Sequence, residues 1–260
     1  MSSRKESKIN QLLRSVPPGI VILSSWLGEK GYSSELQKRY RKSNWLDSIG
    51  TGAMIRKGDQ VTYEGAIYAL QHQANLSIHP GGKTALNLQG KAHYLELSTK
   101  SVMLFGAPGE QLPAWFRKHK WEQAMHYYRS GFLPSDLGYT EIDSKSFRYK
   151  ISNPARAMME CLFLVPNKQS LVECYEIMEG LNNLRPSQVQ ALLEQCSSIK
   201  VKRLFLYLAG KSGHEWVKHI QLDRIDLGKG KRSIIKGGVY DSEYEITINK
   251  ELGSENERSL

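Results

Sequence analysis

The chain has 260 residues, of which 40% are hydrophobic and 24% charged, an ordinary globular composition that excludes collagen, coiled coil and wholesale disorder. No run approaches the roughly 20 apolar residues of a membrane span, and the charged first six residues have no apolar stretch behind them, so neither a membrane nor a secretory signal is expected. The net charge is +10, and residues 1–60 hold 11 Lys/Arg against 5 Asp/Glu, so +6 of it falls in under a quarter of the chain and points to a polyanion.

In chain order, Ser3 and Glu6 have capping-box spacing and open a first helix. Ile9, Leu12, Leu13 and Val16 give it one apolar stripe, and Pro17-Pro18-Gly19 ends it. Ser24 or Ser25 caps a short helix carrying Trp26 and Leu27. Gly31 supplies the positive φ of a tight turn between helices. Ser33 or Ser34 caps the next helix, which runs to about Asn44. Leu36, Tyr40 and Ser43 share one side of it, and Gln37, Lys38, Arg41 and Lys42 lie on other faces. Short helix, glycine turn and capped basic helix make the helix-turn-helix pattern. Residues 51–55 read as a strand, Lys57-Gly58-Asp59 as a turn and Gln60-Val61 as the return. That is a small wing with Arg56 and Lys57 at its tip. Tyr63, Ile67, Leu70 and Ala74 mark a closing helix, and the set reads as a winged helix-turn-helix.

Beyond it the pattern is mixed. His79-Pro80-Gly81-Gly82-Lys83-Thr84 is a turn into a short helix, and residues 102–105 form a buried strand. Asn153-Pro154 is a helix start. Val189, Leu192, Leu193 and Cys196 give one helical stripe; Val201, Leu204, Phe205 and Leu208 give another. Tyr244, Ile246 and Ile248 alternate as a strand. The expected class is α+β, with a winged helix-turn-helix over 1–94, a mixed α/β domain over 95–250 and a fraying polar tail over 251–260.

Catalytic signals are weak. A phosphate loop ending in Gly82-Lys83-Thr84 needs glycine at Ser77 and tolerates no Pro80. The seven histidines and three cysteines show no zinc spacing, and no Gly-x-Ser-x-Gly elbow occurs. Cys161, Cys174 and Cys196 lie in apolar helical contexts and suit a reducing cytoplasm. No enzyme, metal or cofactor is expected. Gly228-Lys229-Gly230-Lys231-Arg232 is either a phosphate-contacting loop or a solvated hairpin.

Several ordered blocks resemble the AbiEi-type antitoxins of bacterial type IV, abortive-infection toxin–antitoxin systems. Residues 24–33, Trp45-Leu46, Tyr63-Glu64-Gly65-Ala66 and 79–86 resemble that family's N-terminal winged helix. Residues 202–208, His214-Glu215-Trp216, 227–232 and 237–241 resemble its C-terminal domain. The resemblance implies a cytoplasmic, nucleoid-associated repressor of its own operon that binds promoter inverted repeats in double-stranded DNA. It also implies a nucleotidyltransferase-like toxin, counteracted by the C-terminal domain without a stable complex. A homodimer on DNA fits that picture.

The expected DNA contacts are these. Gln37 suits adenine and Arg41 guanine, if they face the bases. Ser33 and Ser34 sit at the helix N-terminus for phosphates, with Lys38 and Lys42 beside them. Arg56 and Lys57 reach the minor groove from the wing, and Lys229, Lys231 and Arg232 form a second basic patch. Two alternatives stay open: a module that grips the toxin directly, and a nucleic-acid-acting enzyme using scattered acids such as Asp136, Glu141, Asp143, Asp223 and Asp226.

Overall fold

A computed structural model describes residues 7–91 and 100–253. The Ser3/Glu6 capping box, the break expected between 94 and 95, and residues 254–260 lie outside them. The chain forms two compact units. One gathers 1–79, 105–129 and 141–150; the other gathers 80–104, 130–140 and 151–260. Each is assembled from separated stretches rather than from one half of the sequence.

In the first unit, α1 (Lys8–Ser15) is capped by Ser7, whose hydroxyl accepts from the Asn10 amide at 3.4 Å. β1 (Ile22–Leu23), α2 (Ser24–Glu29), α3 (Ser34–Lys42), β2 (Leu46–Gly50), β3 (Ala53–Arg56) and α4 (Tyr63–His72) follow. β3 is the central strand of an antiparallel sheet ordered β1-β3-β2, with Met54 opposite both Ile22 and Ser48. Leu12, Ile20, Ile22, Leu27, Tyr40 and Met54 fill the core between helices and sheet. Apolar stripes of α1 and α4 face this interior, as their periodicity dictates. The winged helix-turn-helix is therefore present.

Its wing lies one turn earlier than the sequence reading placed it. The hairpin strands are β2 and β3, and the tip is Thr51-Gly52, where Gly52 takes φ +82°. Leu46 is buried, which commits the stretch after Trp45 to a strand. Lys57-Gly58-Asp59 sits past the far end of β3, where Asp59 Oδ2 accepts from the Gly19 amide at 2.8 Å. α4 then crosses close to the chain at Gly19. A Cβ on Gly65 would stand 2.1 Å from the Gly19 carbonyl oxygen, so only glycine fits there.

β4 (His79–Pro80), α5 (Gly82–Leu88), β5 (Ser101–Gly106), α6 (Ala114–Lys118), β6 (Ala124–Arg129), β7 (Tyr139–Ser144) and β8 (Phe147–Ser152) come next. They contribute two small sheets, ordered β4-β5-β6 and β7-β8.

The second unit centres on α7 (Pro154–Leu164) and α10 (Ile199–Lys211), with α8 (Leu171–Glu179) and α9 (Pro186–Gln195) around them. α7 starts as predicted: Asn153 Oδ1 accepts from the Arg156 amide at 2.9 Å, and Pro154 opens the first turn. Both predicted stripes, on α9 and α10, are buried. Glu160 of α7 is fully buried. It accepts from Arg156 Nε and from the Gly82 amide, each at 2.9 Å, and from the Ser152 hydroxyl. A protein carboxylate thus occupies the start of α5. Lys83 pairs with Glu173 at 2.7 Å, and Thr84 Oγ1 accepts from the Met103 amide at 2.8 Å. The Gly-Lys-Thr run is committed to structure, as the turn-into-helix reading required.

β9 (Arg232–Ser233), β10 (Val239–Asp241) and β11 (Ile246–Ile248) form a last sheet ordered β10-β11-β9. The tail does not fray from Glu251: α11 (Lys250–Gly253) buries Leu252, whose carbonyl accepts from the Tyr207 hydroxyl at 2.9 Å. One apolar side chain is enough to dock that turn. Among the described residues no helix is long and apolar enough to cross a membrane.

Gly65→Ala is expected to lower stability by about 1–3 kcal/mol, the usual cost of forcing extra volume into a packed site. Urea unfolding followed by circular dichroism measures it. Wild-type stability in that variant would contradict the close approach of α4 to Gly19.

Candidate nucleic-acid interface

α3 is positioned by a cap, a turn and a buried amide. Ser33 Oγ accepts from the Leu36 amide at 3.3 Å, and Gly31 takes φ +82° in the turn from α2. Leu36 and Tyr40 pack inward, and burial pushes the Tyr40 phenol above its ordinary pKa, so it stays neutral. At 100° per residue, Ser34, Lys38, Arg41 and Lys42 fall on one continuous solvent face. All four are exposed, as is Ser33 at the helix start. Glu35 and Arg39 flank that face. Arg39, Arg41 and Lys42 also sit in the last turn, where cations suit the helix dipole.

Gln37 is not on that face. It is 5% exposed, and its Nε2 donates to the Ser24 carbonyl at 3.1 Å and the Tyr32 carbonyl at 2.8 Å. Both amide hydrogens are therefore spent joining α2, the turn and α3, and none is left to read adenine. The helical phase carried this signal, since Gln37 stands beside Leu36 and Tyr40 on the inward side. Arg56 is not at the wing tip either. Its guanidinium Nη2 donates to the carbonyls of Leu13 and Val16, closing the C-terminal end of α1. Lys57 is exposed, but at the end of β3 rather than at the tip. Its amide donates to the Trp45 carbonyl at 3.0 Å, and its ammonium pairs with Asp47 at 3.2 Å. That pair is half in solvent and contributes little to stability.

One residue, named above only for the resemblance, was not among the expected contacts. Trp45 stands three residues past the end of α3 and is 44% exposed. Asn44 takes φ 55° to turn the chain there. The signal was local: a tryptophan between a basic helix and a strand whose next residue, Leu46, is buried.

In the second unit the expected basic loop is firmly built. Arg203, 2% exposed, donates from Nε to the Leu227 carbonyl and from Nη1 to the Gly230 carbonyl, each at 2.8 Å. Its Nη2 reaches the Gly228 carbonyl and Glu245 Oε2, each at 3.2 Å. Lys229, Lys231 and Arg232 are exposed on the loop so held, with the Lys231 ammonium 4.9 Å from the Tyr240 ring centroid.

Asp143 pairs with Arg148, and Asp226 Oδ1 accepts from the Gly228 amide at 2.8 Å within a turn. Among the described residues no group of three His, Cys, Asp or Glu is placed to hold a metal. Cys161, Cys174 and Cys196 are buried, and burial pushes all three thiols up, so none is a ready thiolate.

Gln37→Leu is expected to cost about 1–3 kcal/mol of folding stability, because it removes two buried donations. Arg41→Ala, on the solvent face, stays within about 0.5 kcal/mol of wild type. Chemical unfolding of the two variants side by side distinguishes them, and equal stabilities would count against the bridge.

Comparison with known proteins finds two family models that meet near residue 98. A family model described as "Transcriptional regulator, AbiEi antitoxin N-terminal domain" matches residues 5–97. One described as "Transcriptional regulator, AbiEi antitoxin, Type IV TA system" matches residues 99–249. Among solved structures, the chain is similar to the crystal structure of the RV2827C protein from Mycobacterium tuberculosis. The TM-score is 0.57 at 11% identity, over 92% of this chain and 89% of that one, a likeness of fold. None of the curated proteins matches. With both models matched across nearly its whole length, the chain belongs to the AbiEi antitoxin family of transcriptional regulators of type IV toxin–antitoxin systems.

Proposed function

We propose that the protein is a DNA-binding repressor of its own operon and the antitoxin of a type IV pair, acting in the bacterial cytoplasm. The observation that carries this reading is the solvent face of α3. Ser34, Lys38, Arg41 and Lys42 stand together there, on a helix whose opposite side is locked into the core. In the proposed complex α3 lies in the major groove of promoter inverted repeats. Arg41 pairs with guanine, Lys38 and Lys42 meet phosphates, and Ser33 and Ser34 meet a phosphate at the helix start. Gln37 and Arg56 have no part in the readout. A homodimer matched to the repeats completes this arrangement.

The loop held by Arg203 is the second proposed contact. Its three cations, Lys229, Lys231 and Arg232, carry no base-reading geometry and suit phosphates. The partner toxin is proposed to be nucleotidyltransferase-like and to be countered by the C-terminal part without a stable complex.

Anisotropy titration of operator duplex is expected to give a log–log salt slope of about −4 to −5, for about four to six phosphates neutralised per protomer. Arg41→Ala is expected to cost about 1–3 kcal/mol at one base pair and relax preference there. Replacing Lys229, Lys231 and Arg232 together by alanine is expected to weaken all sequences alike. A flat salt response would overturn the electrostatic reading.

Toxin rescue separates the two activities. Lys38→Glu with Arg41→Glu in the full chain is expected to abolish repression yet still rescue cells when expressed from a foreign promoter at matched levels. Loss of rescue in a folded double variant would make DNA binding and antitoxicity a single activity.

A further inference from the structure

The first unit contains a cavity that the α3 face does not explain. It has a volume of about 910 Å³ and is formed entirely within residues 111–129, from α6, β6 and the segment joining them. That is the size of a small-molecule site.

Its floor is aromatic and its rim cationic. Phe116, Trp121 and Tyr127 line it, with Phe116 buried and the Trp121 and Phe116 ring centroids 5.0 Å apart. Along β6 the alternation of a strand sends Met125, Tyr127 and Arg129 to the cavity, while Tyr128 turns away to lie 5.3 Å from the Phe105 ring. Arg117, Lys120 and Arg129 are exposed at the rim. No Asp or Glu is among the lining residues, and among the described residues these three cations have no carboxylate partner. Gln111 and Gln123 add amides that can both donate and accept.

The aromatic floor is held in place before any ligand arrives. The Trp121 indole N–H donates to the Phe116 carbonyl at 2.9 Å, and the Tyr127 hydroxyl donates to the Glu110 carbonyl at 3.1 Å. Burial, with Glu110 nearby, pushes the Tyr127 phenol up to about 12, so it keeps the proton that makes this bond. Arg117 Nε donates to the Leu112 carbonyl at 3.1 Å, which fixes its guanidinium at the rim. A pre-ordered site loses less entropy on binding.

The half-buried Trp121 ring, backed by Phe116 at an interplanar angle of 43°, amides at its edge and three uncompensated cations match one ligand chemistry. We propose that this cavity binds a nucleotide, its base stacked on the Trp121 ring and its phosphates paired with Arg117, Lys120 and Arg129. The same chemistry is presented by a free nucleotide and by an unpaired nucleotide of a single strand.

The test is calorimetric titration of the full chain with ATP, with hexathymidylate and with inorganic tripolyphosphate. ATP or hexathymidylate is expected to bind below about 1 mM. Lys120→Glu with Arg129→Glu, both on exposed side chains, is expected to weaken that binding by about tenfold or more while leaving the thermal unfolding curve unchanged. Trp121→Phe keeps a stacking ring and is expected to retain binding, whereas Trp121→Leu is expected to weaken it. Comparable affinity for ATP and the oligonucleotide assigns the site to free nucleotides, and a much tighter oligonucleotide assigns it to single strands. Absence of binding by both probes would overturn the proposal. So would tripolyphosphate binding as tightly as ATP, or wild-type affinity in the double glutamate variant.

Discussion

Residues 20–23 run through the interior of the first unit with Ser24 half-buried behind them, and the polar groups on that backbone are met inside the protein. The partners come from α4 and its C-cap, from the wing and from α3. The Val21 amide donates to the Gly65 carbonyl on α4 at 3.2 Å. Gln73 mimics a strand edge, with its Nε2 on the Val21 carbonyl at 2.9 Å and its Oε1 taking the Leu23 amide at 2.8 Å. Ile22 and Leu23 pair with β3, and the Ser24 amide donates to the Gly52 carbonyl at the wing tip at 2.9 Å. Gln37 meets the Ser24 carbonyl from α3. Meeting those groups ties α3, α4 and the wing to one short segment. It also explains why a glutamine stands on the helix that carries the basic face without being part of that face.

The net charge overstates the field that reaches solvent. Arg56 closes the end of α1, Arg156 binds Glu160 and the carbonyls of Pro134 and Leu137, and Arg203 clasps the 227–230 loop. Each guanidinium offers five donors in a fixed fork, which suits it to gathering backbone carbonyls that turns and helix ends leave unpaired. Among the lysines, Lys38, Lys42, Lys57, Lys229 and Lys231 are exposed, whereas Lys202 is buried and the Lys200 ammonium donates to the carbonyls of Phe163 and Val165. Other arginines stay at the surface: Arg39 and Arg41 are exposed on α3, as are Arg117, Arg129 and Arg232 elsewhere.

The helix-turn-helix was legible because its signals are local. Caps at Ser33 and Asn153, the positive-φ turn at Gly31 and the helical stripes each depend on a few neighbouring residues, and each is found in place. The wing was misplaced because two glycine turns, at Gly52 and Gly58, compete within the same stretch. Only the burial of Leu46, a tertiary fact, decides between them. The Arg56 role was illegible for the same reason, since its carbonyl partners lie 40 and 43 residues away. The interleaving of the two units has no local signature at all. The cavity over 111–129 escaped because its lining joins a five-residue helix, a loop and a strand, and no single period runs through it.

The wing itself is held at both ends and along its side. At the tip, Gly52 accepts from Ser24; at the base, Lys57 donates to Trp45, and Arg56 reaches α1. Along β2, a Cβ on Gly50 would meet the Trp115 Cβ at 2.8 Å, so α6 abuts the strand with no slack. A hairpin free to swing would have to be ordered when a duplex arrives, at a cost for every side chain and backbone angle fixed. Here that ordering belongs to folding, because the bonds that fix the wing are the ones that satisfy buried backbone. For the proposed duplex complex, the spacing between the α3 face and the wing is then set before binding. The inserted length between them, residues 43–45, is too short to adjust it. Operator recognition through these two elements would have to come from the DNA conforming to the protein, which places part of the discrimination in duplex deformability rather than in side-chain contacts.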